Sequence, residues 1–218
     1  MKAPAHEGQV IVYGASGHAK VVADTLRACG LEIEGFVEDN PKRRDSPDLK
    51  ILGDGEWLVA RAKRSPVAVA LGVGDNLSRR TIAVRCVTAG AQLLTAVHPS
   101  ATIAPSAKIA PGVAIMANAV VNADAVIGVG AIINTAAIVE HDCHVGNFAH
   151  LSPKVAIGGH VEVGELSWLG IGCSVIPGIK IGAGSIVGAG ATVVHDVDEM
   201  IVVVGTPARV LRKIQEQI

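Results

Sequence analysis

The sequence predicts two architectures in series: a small α/β domain with a parallel sheet over residues 1–95, and an all-β parallel helix with a C-terminal tail over residues 96–218. Three observations carry this. An aliphatic residue stands at every sixth position from Val97 to Val193. Half of the 218 residues are hydrophobic while only 2% are aromatic, so the core is filled by small side chains. The first 95 residues alternate short β-branched runs with stretches of helical apolar spacing.

Gln9 to Tyr13 is a strand by its β-branched run, Gly14-Ala15-Ser16-Gly17 a turn, and His18 to Cys29 a helix that stops at Gly30. A second strand, Glu34 to Val37, runs into the acidic Glu38-Asp39-Asn40 and is stopped by Pro41. A third, Val67 to Val73, is followed by Gly74-Asp75-Asn76 and a helix from Leu77 to Ala89; Leu93 to Val97 then feeds the repeat. Such alternation makes a doubly wound, Rossmann-like sheet, which binds ligands at the C-terminal ends of its strands, here Gly14, Glu38 and Gly74. Gly14 and Gly17 fall short of a full G-x-G-x-x-G, so the turn alone reads equally as a nucleotide cradle or as plain chain reversal. The carboxylates of Glu38 and Asp39 can accept hydrogen bonds from a ribose or a base.

From Val97 the aliphatic series runs through Ile103, Ile109, Ile115, Val121 and onward to Val193, seventeen hexads without a slip. Glycine often follows the aliphatic residue, as at Gly128, Gly146 and Gly164, and the fifth position is small or β-branched, as at Ala107, Ala137 and Cys173. This is the hexapeptide period of a β-helix. Three hexads close a triangular coil of 18 residues, and residues i and i+18 stack at roughly the 4.8 Å separation of neighbouring strands. The prism is too narrow for aromatic rings, and Gly or Asn is expected to serve the tight corners. The period does not set the hand of the coil.

A formal net charge of −1, with 19 basic residues thinly spread, excludes the electrostatic footprint of a nucleic-acid binder. Met1 to Val10 is polar and the later apolar runs are short, so neither export nor membrane insertion is expected and the location is cytoplasmic. Cys29, Cys86, Cys143 and Cys173 form no CxxC pair and read as reduced packing residues. Among the histidines, His6 and His195 read as solvated surface, His98 as structural and His144 as surface. His141 and Asp142 occupy the third and fourth positions of a hexad, an outward corner. A histidine beside a carboxylate there is either a general base or simply an exposed side chain at a tolerant site. His144 and His150 fall on different faces of the prism, and His141 and His160, nearly stacked, lack a third partner in the spacing, so no metal is expected.

From Tyr13-Gly14-Ala15-Ser16-Gly17-His18 to Gly205-Thr206-Pro207-Ala208-Arg209, the chain resembles the hexapeptide-repeat sugar acyltransferases. Within them it is most similar to the bacillosamine-type nucleotide-sugar N-acetyltransferases and the related sialic acid O-acetyltransferases. The resemblance implies a left-handed parallel β-helix, a homotrimer, and acetyl-CoA as co-substrate in the groove between neighbouring β-helices. It implies that Gly14, Gly17, His18, Glu38 and Asp39 hold a nucleotide-linked amino sugar, with Gly74-Asp75-Asn76 and Arg79 a looser match for a further contact. It makes His141 the catalytic base and Asp142, where relatives often carry Glu, its partner. Asn134 becomes the polar neighbour that places His141, and His150 a residue near the acetyl group or cofactor. Gly170, Gly172, Gly188 and Gly190 would lie along the pantetheine, a role as open to them as plain corner geometry, and Gly205 and Pro207 would meet the CoA nucleotide. The expected activity is N-acetylation of a nucleotide-linked 4-amino-4,6-dideoxy sugar for surface-glycan synthesis. Sugar O-acetylation, or silent binding of a nucleotide sugar, stays open beside it.

Overall fold

The computed structural model describes residues 10–40, 42 and 49–215; His6, Gln9 and Pro41, each read above, lie outside them. The chain opens with β1 (Val10–Tyr13), α1 (Gly17–Ala28), β2 (Ile33–Val37), β3 (Ile51–Gly53), α2 (Gly55–Ala62), β4 (Ala68–Leu71), α3 (Asn76–Thr88) and β5 (Gln92–Leu93). The five strands form one parallel sheet in the order β3-β2-β1-β4-β5. Connections run one way from β1 to β3 and the other way from β4 to β5. The topological switch therefore lies between β1 and β4, at Gly14 and the Gly72–Gly74 turn. One face of the sheet packs on α1 through Val22, Ala23 and Leu26, the other around Leu58 and Cys86 of α2 and α3.

The sequence reading passed over β3 and α2. β3 has three half-buried residues, too few for a period. α2 starts where the Asp54 side chain accepts from the Trp57 amide at 2.9 Å, a cap that stands in the sequence as an acid before a short apolar run. The strand expected from Val67 to Val73 is shorter, because Gly72 to Gly74 already turn away, and Asp75 caps α3 by accepting from Ser78 N at 2.8 Å.

The repeat forms seventeen two-residue strands, β6 (Ala96–Val97) to β22 (Thr192–Val193), spaced six residues apart. They sort into three parallel sheets that pair each residue with the one 18 further on: Val121 with Val139, Val139 with Ile157. First-position aliphatics and small fifth-position residues fill the prism, among them Ile115, Ala119, Val121, Ala137, Val139 and Leu151, each fully buried. The corner glycines work differently from the expectation. Left-handed backbone falls on the fourth position of the hexad, where it is carried mostly by other residues, such as Asn118, Asp142, Phe148 and His160. The glycine after the aliphatic instead allows coils to approach: a Cβ on Gly146 would lie 2.5 Å from Glu165 N.

The β-helix also runs further than the last hexad at Val193. After two residues are lost from the period, β23 (Ile201–Val204) continues the stack in parallel on Ile186–Val187, and β24 (Arg209–Lys213) returns antiparallel to it. The sheet domain and the prism share a core, since Ala114, Met116 and Ile132 pack with Val22 and Leu26 of α1.

Candidate functional site

Two groups of side chains carry chemistry, one in the crevice between sheet and prism and one on a prism corner. At the switch point Gly14 has φ +112°, and a Cβ there would stand 2.7 Å from the Gly72 carbonyl oxygen, so only glycine passes. Glu38 accepts from the amides of Ala15 (3.0 Å) and Asn40 (2.9 Å). Asp39 accepts from the Tyr13 hydroxyl (2.7 Å) and the Gly55 amide (2.8 Å), with Arg85 at 3.6 Å. Both carboxylates thus shape the loop. Gly17, exposed at the start of α1, has open space around it.

His18, in the first turn of α1, has a buried Nε2 with no hydrogen-bond partner, and its ring lies 6.3 Å from that of His150. His150, on the strand His150–Leu151, meets the Asn134 side-chain amide at 3.0 Å. An NH2 group only donates, so His150 Nε2 accepts, which only a neutral ring can do. Burial first, and then the Arg79 charge, lowers His18 from the ordinary 6.5 to about 4. The same order of causes, with His18 adding to them, takes His150 to about 3. Trp168 stacks beside His150 at 6.5 Å and anchors its indole N–H on Ser152 Oγ at 2.8 Å. Next to them opens a cavity of about 980 Å³ bordered by Gly74, Asn76, His150, Leu166, Trp168 and Met200.

These depressed values predict an acid weakness. Both rings are neutral when folded, while the unfolded chain takes up protons below about 6.5, so stability held above that pH is lost as pH falls from 6.5 towards 4. Urea midpoints measured between pH 7.5 and 5 should fall, and His150→Gln should flatten the slope; an unchanged slope in that variant would contradict neutral burial of His150.

Arg79 is not a ligand contact. It is 1% exposed, and its guanidinium donates to the carbonyls of Gly130 (2.7 Å), Phe148 (2.7 Å), Val73 (3.2 Å) and Gly74 (2.9 Å) and to Asn76 Oδ1 (2.8 Å). It rivets the Gly74 turn to the prism. Asn134 is likewise placed on His150 rather than on His141.

At the other site, His141 and Asp142 project from a corner as expected, and both are about half exposed. The imidazole Nδ1–H donates to Asp142 Oδ2 at 2.7 Å, which holds that carboxyl below its usual range. His160, one coil on, brings Nε2 to 3.7 Å from the same oxygen and sets its ring at right angles to His141, 5.3 Å away. The third partner absent from the spacing is therefore Asp142 itself, and the three donor atoms lie within 4.8 Å of one another. The 2.7 Å contact is a hydrogen bond, shorter than the roughly 3.3 Å between ligands 2.0–2.1 Å from a tetrahedral zinc.

Within one chain the two groups stay apart, because His141 leaves the prism at the corner after Ile138–Val139 whereas His150 stands on the different face that holds His150–Leu151. A third corner gathers the glycines. Gly170 and Gly188 are closed in by Ala189 N (2.6 Å) and Val204 Cγ1 (2.7 Å) of the following coil, whereas Gly172 (φ +67°) and Gly190 (φ +65°) face open space. Gly205 and exposed Pro207 lie beside them through Thr206 Oγ1, 3.3 Å from the Gly190 carbonyl. Sequence reasoning missed Tyr13, Phe148 and Trp168. For Trp168 a signal existed, an outward aromatic in a chain with 2% of them.

The model of the PglD N-terminal domain family matches residues 9–86. Perosamine N-acetyltransferase from Caulobacter crescentus, solved as its H141N variant with CoA and GDP-perosamine, is 40% identical, superposes with a TM-score of 0.90, and is covered over 99% of its chain by 95% of this one. The acetyltransferase domain of PglB from Neisseria gonorrhoeae, solved with acetyl coenzyme A, is 35% identical with a TM-score of 0.86, over 93% of this chain and 98% of that one. Among curated proteins, YJL218W of Saccharomyces cerevisiae carries a provisional acetyltransferase name and is 44% identical over 57 residues, 26% of this chain; the match spans 29% of that protein's length. No helix among the described residues is long and apolar enough to cross a membrane. A Rossmann-like parallel sheet set before a left-handed parallel β-helix, with this degree of identity along nearly the whole chain, places the protein in the hexapeptide-repeat family of sugar N-acetyltransferases.

Proposed function

We propose that the protein is an acetyl-CoA-dependent N-acetyltransferase acting on the amino group of a nucleotide-linked 4-amino-4,6-dideoxy sugar, in surface-glycan synthesis. The carrying observation is the exposed His141–Asp142 hydrogen bond, set in a chain 40% identical to an enzyme crystallised with CoA and GDP-perosamine. Residues 1–95 hold the nucleotide sugar at Gly14, Gly17, His18, Glu38 and Asp39, and residues 96–218 bind acetyl-CoA and carry out the transfer. Asn134 and His150 border the sugar and the acetyl group, and the corner of Gly170, Gly172, Gly188, Gly190, Gly205 and Pro207 receives the pantetheine and CoA nucleotide.

With Nδ1–H given to Asp142, His141 keeps a lone pair on Nε2. That nitrogen takes a proton from the neutral sugar amine as the amine nitrogen bonds to the thioester carbonyl carbon, and the oxyanion is met by backbone N–H groups at a corner. Collapse breaks the C–S bond, the proton passes from His141 to the CoA thiolate, and no covalent enzyme intermediate forms. A co-substrate of the cytosol and four free cysteines fit a cytoplasmic enzyme.

The chain works as a homotrimer in this reading, because His141 and the His150 crevice cannot face one ligand within a chain and a neighbour brings its corner to the crevice. Exposed Ile138, Trp168, Ile171 and Ile176 are the apolar surface such contacts cover. Sedimentation is expected to give a trimer at micromolar concentration; a stable, active monomer would rule out the shared site. Asp39→Ala is expected to raise KM for the nucleotide sugar with KM for acetyl-CoA nearly unchanged. Equal losses for both substrates would show that the sheet domain is not a separate substrate site. The direct test of the reaction is thiol release from acetyl-CoA on addition of nucleotide-linked amino sugars.

A further inference from the structure

We infer that Gly159 is a positioning residue for His141: the missing side chain at 159 is the space in which the imidazole lies. This rests on the reading of His141 as the base. A Cβ built on Gly159 would stand 2.6 Å from both Cε1 and Nε2 of His141 and 3.2 Å from Nδ1, and these ring atoms are its nearest neighbours. The ring thus lies across the corner of the next coil, with Gly159 beneath it, Asp142 at its Nδ1 edge and His160 at right angles beside it.

Neither the backbone nor the repeat demands glycine here. Gly159 lies outside the left-handed region, which at this corner is taken by His160 at φ +59°. The equivalent third-position residues of this corner in the other coils are Pro105, Ala123, His141, Pro177 and His195, so the slot accepts bulk. The contrast with the preceding residue is direct: a Cβ on Gly158 would stand 2.7 Å from the backbone nitrogen of Pro177, so that glycine serves coil stacking. At 159 the obstacle is the far end of a side chain that can swing away. An alanine there fits the fold and evicts the ring, and a base moved by about 1 Å loses on the order of 10²-fold in rate.

Gly159→Ala, made in the full chain, is therefore expected to keep the oligomer, the Tm and both KM values and to lower kcat by about 10- to 100-fold. In a His141→Ala background the same substitution should cost nothing further, because its effect passes through the ring. A crystal structure of Gly159→Ala should show His141 off its hydrogen bond to Asp142. Full kcat, an equal fall in the His141→Ala background, or a loss of Tm like that of Gly158→Ala would each overturn the inference. If His141→Ala itself kept full activity, the reading of the base would fail, while the ring position in the Gly159→Ala crystal would still decide the positioning claim: displaced supports it, unmoved overturns it.

Discussion

His141→Ala is expected to lower kcat by about 10² to 10⁴ while both KM values change little, since general-base assistance is needed in the transition state and not in binding. Asp142→Asn should cost less, because the amide oxygen can still accept from Nδ1–H at the 2.7 Å position while the charge that stabilises the imidazolium is gone. The pH profile separates these effects. A sugar amine of depressed pKa is partly neutral at pH 8, so raising the pH should restore part of the rate of His141→Ala. A variant whose loss is the same at every pH would place His141 in binding or structure and not in proton transfer. Asp142, held below the usual carboxylate range by its bond from His141, stays ionised throughout that range and adds no second inflection.

The second large effect is on stability. Arg79→Met keeps the length of the side chain but removes every N–H donor, leaving the buried carbonyls of Gly130 and Phe148 without their 2.7 Å partners. Each orphaned buried acceptor costs about 1–3 kcal/mol, so a loss of about 2–6 kcal/mol is expected in urea unfolding. The loss also reaches the crevice, because the same guanidinium holds the Val73 and Gly74 carbonyls on which the His150 side of the cavity is built. Activity in the surviving folded protein should fall with KM for the nucleotide sugar rising. Arg79→Lys should recover only part of either effect, as one ammonium cannot span acceptors on both sides of the fork. Wild-type stability in Arg79→Met would refute the rivet.

The sequence disclosed most where a residue's role repeats or is local. The 18-residue coil follows from Val121, Val139 and Ile157 alone, because stacking makes the period a statement about space. Gly14 was legible as a turn because its conformation is set by its immediate neighbours, and the His141–Asp142 corner because adjacent residues on an outward turn must share solvent. What stayed hidden depends on contacts between distant segments. Arg79 reads in the sequence as a looser candidate for a further ligand contact, because its acceptors at Gly130 and Phe148 lie 51 and 69 residues away. Asn134 was assigned to His141, seven residues on, while the prism turns it to His150, sixteen residues on. The glycines after the aliphatic positions were read as corner devices, since spacing cannot distinguish a residue that bends its own chain from one that lets the next coil close in. The short β3 left no pattern to read, and the two-residue slip before Ile201–Val204 broke the only period that could have announced the last coil.

The most direct test of the central claim is a thiol-release assay with acetyl-CoA and GDP-, UDP- and dTDP-linked 4-amino-4,6-dideoxy sugars, run beside the matching 4-hydroxy sugars, with the products identified by mass. The account predicts release of CoA thiol with one or more of the amino sugars, a product heavier by one acetyl group on nitrogen, and none with the hydroxy sugars. Turnover of the hydroxy sugars alone, or binding of a nucleotide sugar with no thiol released from any of them, would contradict it.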